Sequence, residues 1–136
     1  MERQTRQRAA ILNAVAQAGR PLLLAEVHEG ALAAVPTIGM ATVYRNLHQL
    51  VANGDLQVVL LPGENPRYEP AGGEHHHHFQ CNACHRVFDV HACPGDLKRL
   101  APPGFAVEHH DLTLYGRCKD CVKPPKRVGN ARGRRA

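Results

Sequence analysis

Four of the five cysteines form two CxxC pairs, Cys81 with Cys84 and Cys118 with Cys121. Each pair directs two thiolates toward one point, and two pairs complete the closed tetrahedral sulfur shell that structural zinc prefers. A closed shell leaves no open position for water or substrate, so the spacing predicts a structural Zn²⁺ site rather than a catalytic or redox one. We expect a cytoplasmic protein, and in that reducing compartment cysteines are more often metal ligands or thiols than disulfides.

A run of four histidines, His75 to His78, lies just before the first CxxC pair. Alternate residues of a strand face opposite sides, so His76 and His78 can serve one metal ion while His75 and His77 serve another. Further ligand types occur in the same part of the chain: Glu69, Asp89, His91, Cys93, Asp96, His109 and His110. These residues predict two additional metal sites, the alternative being a solvated polar strand with adventitious metal affinity.

The segment GMATVYRNL, residues 39–47, places an aromatic and a basic side chain next to each other at the start of a predicted helix. Tyr44 can contact a thymine methyl group, and Arg45 can donate two hydrogen bonds to guanine. By spacing alone, the pair could equally belong to an ordinary amphipathic surface.

Three short helices and a hairpin are predicted to position these groups in the first half. Apolar residues recur at helical spacing before Gly19 to Pro21, from Leu24 to Ala34, and from an N-cap at Thr37 to Asn53. The third helix should bury its stripe of Met40, Val43, Leu47, Leu50 and Val51. The β-rich run 56–61 and the segment 67–69 predict a hairpin, which completes the order of a winged helix-turn-helix.

The second half is predicted to be a smaller α/β unit with the four-cysteine zinc site, giving an α+β fold overall. Strands are expected at 79–81, 87–90 and 107–115, with a short helix at 94–100. The predicted organisation is a DNA-binding domain at 1–70, a hinge at 71–73, a metal-binding dimerisation domain at 74–122 and a disordered basic tail at 123–136.

The formal charge of +5 is a property of the predicted tail, because six Lys or Arg and no acidic residue lie between Lys123 and Ala136. Net charge is therefore no argument for nucleic-acid binding here. No apolar run approaches the roughly 20 residues that a membrane helix needs. Neither HExxH nor the HxE motif of zinc deaminases occurs, so we expect no enzyme.

Several segments together resemble the ferric uptake regulator family. They are TRQRAAIL (5–12), ATVYRNL (41–47), HHHHFQCNAC (75–84) and HDLTLYGRCKDC (110–121), in the family's order and covering about residues 3 to 121. The resemblance implies a homodimeric transcription repressor that binds palindromic operator DNA when its regulatory metal is loaded. It implies no membrane partner and no small-molecule substrate other than metal ions.

The resemblance also assigns roles to residues of this sequence. Base and backbone contacts to DNA fall on Arg3, Arg8, Thr42, Tyr44 and Arg45. The regulatory site falls on Glu69, His76, His78 and Asp89. A second site falls on His75, His77 and His110, with either Asp96 or Cys93 as the remaining ligand, because the intervening segment is shorter than usual.

One departure bears on the identity of the metal. Members of the family usually supply a histidine to the regulatory site where this sequence has Leu22. A thiolate among imidazoles favours zinc over ferrous iron, so a zinc-responsive repressor is expected, with an iron- or peroxide-responsive regulator as the alternative. A different class, a zinc-stapled metal-buffering or interaction module, would lack metal-dependent binding to specific DNA.

Overall fold

The structure is a computed structural model that describes residues 2–73 and 76–122. The predictions for His75 and for the basic tail at 123–136 fall outside the described residues. The first half contains α1 (Glu2–Ala18), β1 (Leu22–Leu23), α2 (Leu24–Leu32), α3 (Met40–Ala52), β2 (Leu56–Val59) and β3 (Arg67–Pro70). The second half contains β4 (His77–Cys81), β5 (Val87–Val90), a 3₁₀ turn (Lys98–Leu100) and β6 (Thr113–Gly116).

The three helices of the first half enclose one apolar core above a small antiparallel sheet with the strand order β1-β3-β2. Its fully buried side chains follow the predicted helical spacing and are Ile11, Val15, Val27, Ala31, Val43, Leu47 and Leu50. The hairpin β2–β3, called the wing below, follows α3 directly, so the winged-helix order is confirmed. The edge strand β1 was not predicted, since its two residues are too few to show an alternating pattern.

The start of α3 differs from the prediction. Gly39, rather than Thr37, is the N-cap residue, with φ −94° and ψ 161°. Ile38 enters the core before the helix begins, and Met40 is 43 % exposed instead of buried. The helical stripe therefore begins at Val43, one turn later than the apolar pattern suggested. The second helix likewise ends at Leu32 rather than Ala34.

A mixed three-stranded sheet, in the order β5-β4-β6, forms the second half. The predicted helix at 94–100 is wrong apart from one 3₁₀ turn, because Gly95 adopts φ +93° and Asp96 Oδ1 accepts from the backbone N–H of Lys98. The predicted strand at 107–115 is shortened to Thr113–Gly116. The backbone N–H of Leu112 donates to Nδ1 of His77 instead of to a neighbouring strand, so the regular ladder begins only after it.

The two halves touch through a small set of buried groups. Val59 and Leu61 from the wing pack with Val87 of β5. Arg67 on β3 is 2 % exposed and donates from Nη1 to Glu64 at 3.0 Å and from Nη2 to the carbonyl of His85 at 2.9 Å. Because a buried guanidinium is costly unless it is bonded, these contacts fix how the wing meets the β4–β5 turn.

Candidate functional site

The two CxxC pairs converge on one point, and their four sulfur atoms all lie within 4.8 Å of one another. Cys81 ends β4, Cys84 lies in the turn that follows, and Cys118 and Cys121 lie just beyond β6. His85 adopts φ +66° in this turn and donates its backbone N–H to the carbonyl of Cys81. The parallel pairing of β4 with β6 thus brings together two cysteine pairs that are distant in sequence. This group, called the four-cysteine cluster below, can hold a zinc ion.

Backbone and guanidinium donors prepare the four-cysteine cluster for a cation. The backbone N–H groups of Cys84 and Cys118 point at Sγ of Cys81, at 3.3 and 3.4 Å, and lower the pKa of Cys81 to about 5. Arg86 Nε donates to Sγ of Cys84 at 3.1 Å and lowers the pKa of that thiol as well. The neighbouring sulfurs raise the pKa of Cys121 to about 12. The thiolate form, which binds metal, is therefore favoured at Cys81 and Cys84, whereas Cys121 holds its proton until a cation displaces it.

A second cluster lies between the wing and the second sheet and contains Glu69, His76, His78 and Asp89, called the interdomain cluster below. Nε2 of His76 is 3.2 Å from Oε2 of Glu69 and 3.3 Å from Oδ1 of Asp89. The register of β4 and β5 sets His78 opposite Asp89, with Nε2 of His78 3.4 Å from the same Oδ1 atom. The cluster therefore draws its ligands from both halves of the chain.

The donor atoms of the interdomain cluster fit a divalent cation. Oε1 of Glu69, Nε2 of His78 and Oδ1 of Asp89 are buried and make no hydrogen bond within the described residues. Burial raises the pKa of Glu69 and lowers the pKa of His78, since both charged forms are desolvated. Two acids and two imidazoles held together in a partly buried site are costly without a counter-charge, and this ligand set suits zinc or ferrous iron.

Gln57 on β2 is a member of this site that the sequence reasoning missed. Its Nε2 donates to Oε2 of Glu69 at 2.6 Å, and the two residues are direct partners in the β2–β3 register. Alternation along the predicted strand 56–61 could have indicated the face of Gln57, but only the register shows that it faces Glu69. Gln57 therefore fixes the orientation of the Glu69 carboxylate through this hydrogen bond.

A third cluster contains His77, Cys93 and His110. Sγ of Cys93 lies 3.4 Å from Nε2 of His77 and 3.4 Å from Nε2 of His110. Of the two open choices for the remaining ligand, the structure brings Cys93 to the cluster. Asp96 is directed to the backbone N–H of Lys98 instead. The pleat of β4 separates His77 from its neighbours His76 and His78, as the alternation predicted.

The predicted DNA-contacting residues line one surface groove of about 1040 Å³ between α1 and α3: Arg3, Arg8, Thr42, Tyr44 and Arg45. Nη2 of Arg8 donates to the side chain of Gln49 at 3.2 Å and so ties α1 to α3. Nη2 of Arg45 donates to Thr42 Oγ1 at 3.3 Å, and Tyr44 is 47 % exposed. Basic and aromatic side chains are thus presented together on the exposed face of α3.

Comparison with known proteins agrees with this fold. The model of the ferric uptake regulator family matches residues 2–115. Transcriptional regulator FurA of Mycobacterium tuberculosis is 33% identical over 123 residues, which is 88% of this chain and 82% of that protein. A structure of the ferric uptake regulator from Francisella tularensis with iron is similar at 29% identity and TM-score 0.66, covering 86% of this chain and 92% of that one. FurB of M. tuberculosis, a zinc uptake regulator, is similar at 27% identity and TM-score 0.50, covering 88% and 95%.

The chain belongs to the ferric uptake regulator family. It is a metal-responsive transcription regulator that works as a dimer on operator DNA, and it is not an enzyme. In the part of the chain that the structure describes, no helix is both long and apolar enough to cross a membrane.

Proposed function

We propose that the protein is a zinc-responsive repressor of metal-homeostasis genes, acting in the cytoplasm as a homodimer on a palindromic operator. The observation that carries the proposal is the interdomain cluster, in which Glu69 of the wing meets His76, His78 and Asp89 of the second half. A metal held there would fix the angle between the two halves. We infer accordingly that residues 1–70 read DNA and that residues 74–122 bind metal and dimerise, with 71–73 as the hinge.

Metal binding acts on DNA affinity through a shift between two arrangements of the same chain. A metal ion held by the interdomain cluster would relieve the repulsion between the buried carboxylate of Glu69 and the partly buried carboxylate of Asp89. The favoured arrangement sets the two α3 helices of the dimer about 34 Å apart, one turn of B-DNA. Metal and operator then strengthen each other's binding by the same factor.

DNA recognition in this proposal is divided between two kinds of contact. Tyr44 and Arg45 read base edges in the major groove, with Thr42 orienting Arg45 until DNA replaces that contact. Arg3 and Arg8, on the first helix, contact the phosphate backbone or the minor groove. The first pair carries specificity, and the second carries salt-dependent affinity.

Zinc is proposed as the regulatory ion because the third cluster places a cysteine sulfur, that of Cys93, between two imidazoles. Soft sulfur favours zinc over ferrous iron, and a zinc uptake regulator is among the structural relatives. Iron is the second candidate, since a relative of similar fold is described with iron. A peroxide-responsive regulator is less consistent with Glu69, where that branch usually has aspartate.

The test is operator binding measured by fluorescence anisotropy at fixed salt, using protein that retains zinc in the four-cysteine cluster and DNA from its own upstream promoter. We expect buffered zinc to activate binding at lower free concentration than ferrous iron. His78→Ala should bind the operator only at higher metal concentration, whereas Arg45→Ala should lose specific binding while still holding metal. Activation by iron alone would move the protein to the iron-responsive branch, and metal-independent binding would overturn the sensing model in favour of a metal-buffering module.

A further inference from the structure

The interdomain cluster offers four protein ligands, and residue 22 cannot supply a fifth. Leu22 is 5 % exposed and pairs with Tyr68, and both side chains belong to the helical core. Glu69 is the next residue of β3 and faces the opposite side of the sheet. A side chain at position 22 therefore points away from Glu69 in this fold.

His91 lies beside the same cluster, against the ring of His76. It follows β5 directly and stands two residues after Asp89, so both side chains lie on the same side of the chain while it remains extended. The centroid of its ring is 5.6 Å from that of His76, only slightly farther than the 5.0 Å between His76 and His78, which are both cluster members. His91 is exposed and makes no hydrogen bond or ion pair within residues 2–73 and 76–122.

We propose that His91 is the fifth ligand of the metal held by Glu69, His76, His78 and Asp89. The inference rests on the proposed function, because it requires that this cluster binds an ion. Residues 91–97 form neither helix nor strand, so the His91 ring can rotate toward the ion without breaking a ladder of hydrogen bonds. A fifth protein ligand would occupy a coordination position that would otherwise be left to solvent.

The position of His91 has a second consequence for the metal chemistry. Cys93, two residues further along, belongs to the cluster with His77 and His110. Ligation by His91 would therefore hold the segment 91–93 at the interdomain cluster on one side and at the Cys93 cluster on the other.

The experiment counts histidine ligands by proton NMR of Co²⁺-loaded protein that retains zinc in the four-cysteine cluster. It uses a Cys93→Ser background, so that the ion is directed to the interdomain cluster. Ring N–H protons of bound histidines show large paramagnetic shifts, and we expect three such signals. His91→Ala should show two signals, and its affinity for Co²⁺ and Zn²⁺ should be weakened about tenfold or more. This is the loss of affinity expected when a residue that only orients a ligand is removed, and the loss of a ligand itself should be at least as large. His109→Ala, also exposed and next to His110 of the third cluster, is the matched control and should keep all three signals.

Failure of the inference and failure of the proposed function give different results. If His91→Ala and His109→Ala both keep the wild-type signals and affinity, His91 is not a ligand. If the signals behave as expected but operator binding ignores the metal, His91 remains a ligand and the sensing model is wrong. If the parent protein shows no shifted histidine signals, both are overturned. Circular dichroism of each variant confirms that the exposed substitutions leave the fold intact.

Discussion

Nη2 of Arg67 donates a hydrogen bond of 2.9 Å to the backbone carbonyl of His85, which joins β3 of the wing to the β4–β5 turn. His85 follows Cys84 directly, so the same turn carries a thiolate of the four-cysteine cluster. The arginine side chain thereby connects the wing to the zinc-binding end of the second half. This connection uses none of the ligands of the interdomain cluster.

Arg67→Ala should destabilise the protein by about 2 to 4 kcal/mol. It removes the buried guanidinium together with its hydrogen bonds, and it leaves the His85 carbonyl without its donor. Arg67→Met should cost less, since it keeps most of the buried volume. Urea denaturation of zinc-loaded protein measures both. The exposed Arg99→Ala variant is the control, and an equal effect at Arg99 and Arg67 would refute the role of the buried contact.

Loss of zinc from the four-cysteine cluster should disrupt the second half before the first. The second sheet has little apolar core of its own, whereas the helices enclose a continuous one. Cys118→Ser or strong chelation should therefore release one zinc per chain and abolish the dimer while much of the helical circular dichroism remains. Sedimentation and zinc analysis measure this, with Cys93→Ser as the control that keeps the structural zinc; a dimer without zinc would contradict it.

Cys93 and Asp96 should differ in their effect on the third cluster. Cys93→Ser should eliminate the Co²⁺-to-thiolate charge-transfer absorption of this site, because Sγ of Cys93 lies between two imidazoles. Asp96→Asn should leave the absorption unchanged, since that carboxylate is directed to Lys98. Optical titration of protein with zinc in the four-cysteine cluster separates the two variants. An unchanged spectrum in Cys93→Ser would return the role to Asp96.

Gln57→Leu should weaken regulatory metal binding about 10- to 100-fold, as expected when a partner that orients a ligand is lost. The loss should be larger at pH 6 than at pH 7.5. The Gln57 hydrogen bond opposes the burial that raises the pKa of Glu69, so its removal raises that pKa further and more of the ligand is protonated at the lower pH. Competition with a zinc chelator at both pH values measures the effect.

The control for this experiment is Gln17→Leu on the exposed face of α1, which should change neither the affinity nor its pH dependence. The direction of the pH dependence tests the contact, because metal binding requires the deprotonated carboxylate of Glu69. A Gln57→Leu defect that grows as the pH rises would contradict the assigned contact.

Arg45 and Arg8 should separate specificity from electrostatic affinity on DNA. Arg45→Ala should cost about 1 to 3 kcal/mol against the operator and relax its sequence preference. Arg8→Ala should weaken binding to all sequences similarly and reduce the slope of log affinity against log salt by about 1. Anisotropy titrations over a series of salt concentrations distinguish the two. A selective loss of operator binding in Arg8→Ala would reverse the assignments.

The amino-acid sequence by itself determined the helical core, the two CxxC pairs and the alternating histidines, because these depend on periodicity and local spacing. The buried positions Val43, Leu47 and Leu50 follow directly from a period of 3.6 residues. The family could be recognised for the same reason, since its motifs are short and continuous. Local patterns of this kind can be interpreted without knowing which strands pair.

Only the tertiary structure decided the groups that depend on strand register and on irregular chain. Gln57 meets Glu69 through cross-strand pairing, and Cys93 rather than Asp96 reaches His77 because a single 3₁₀ turn replaces the predicted helix. His91 and Leu22 show the same limit, since their places relative to the interdomain cluster depend on where β5 ends and which side of β1 is buried. A one-residue change of register moves every side chain of a strand to the opposite face, so these contacts could not be predicted without the tertiary structure.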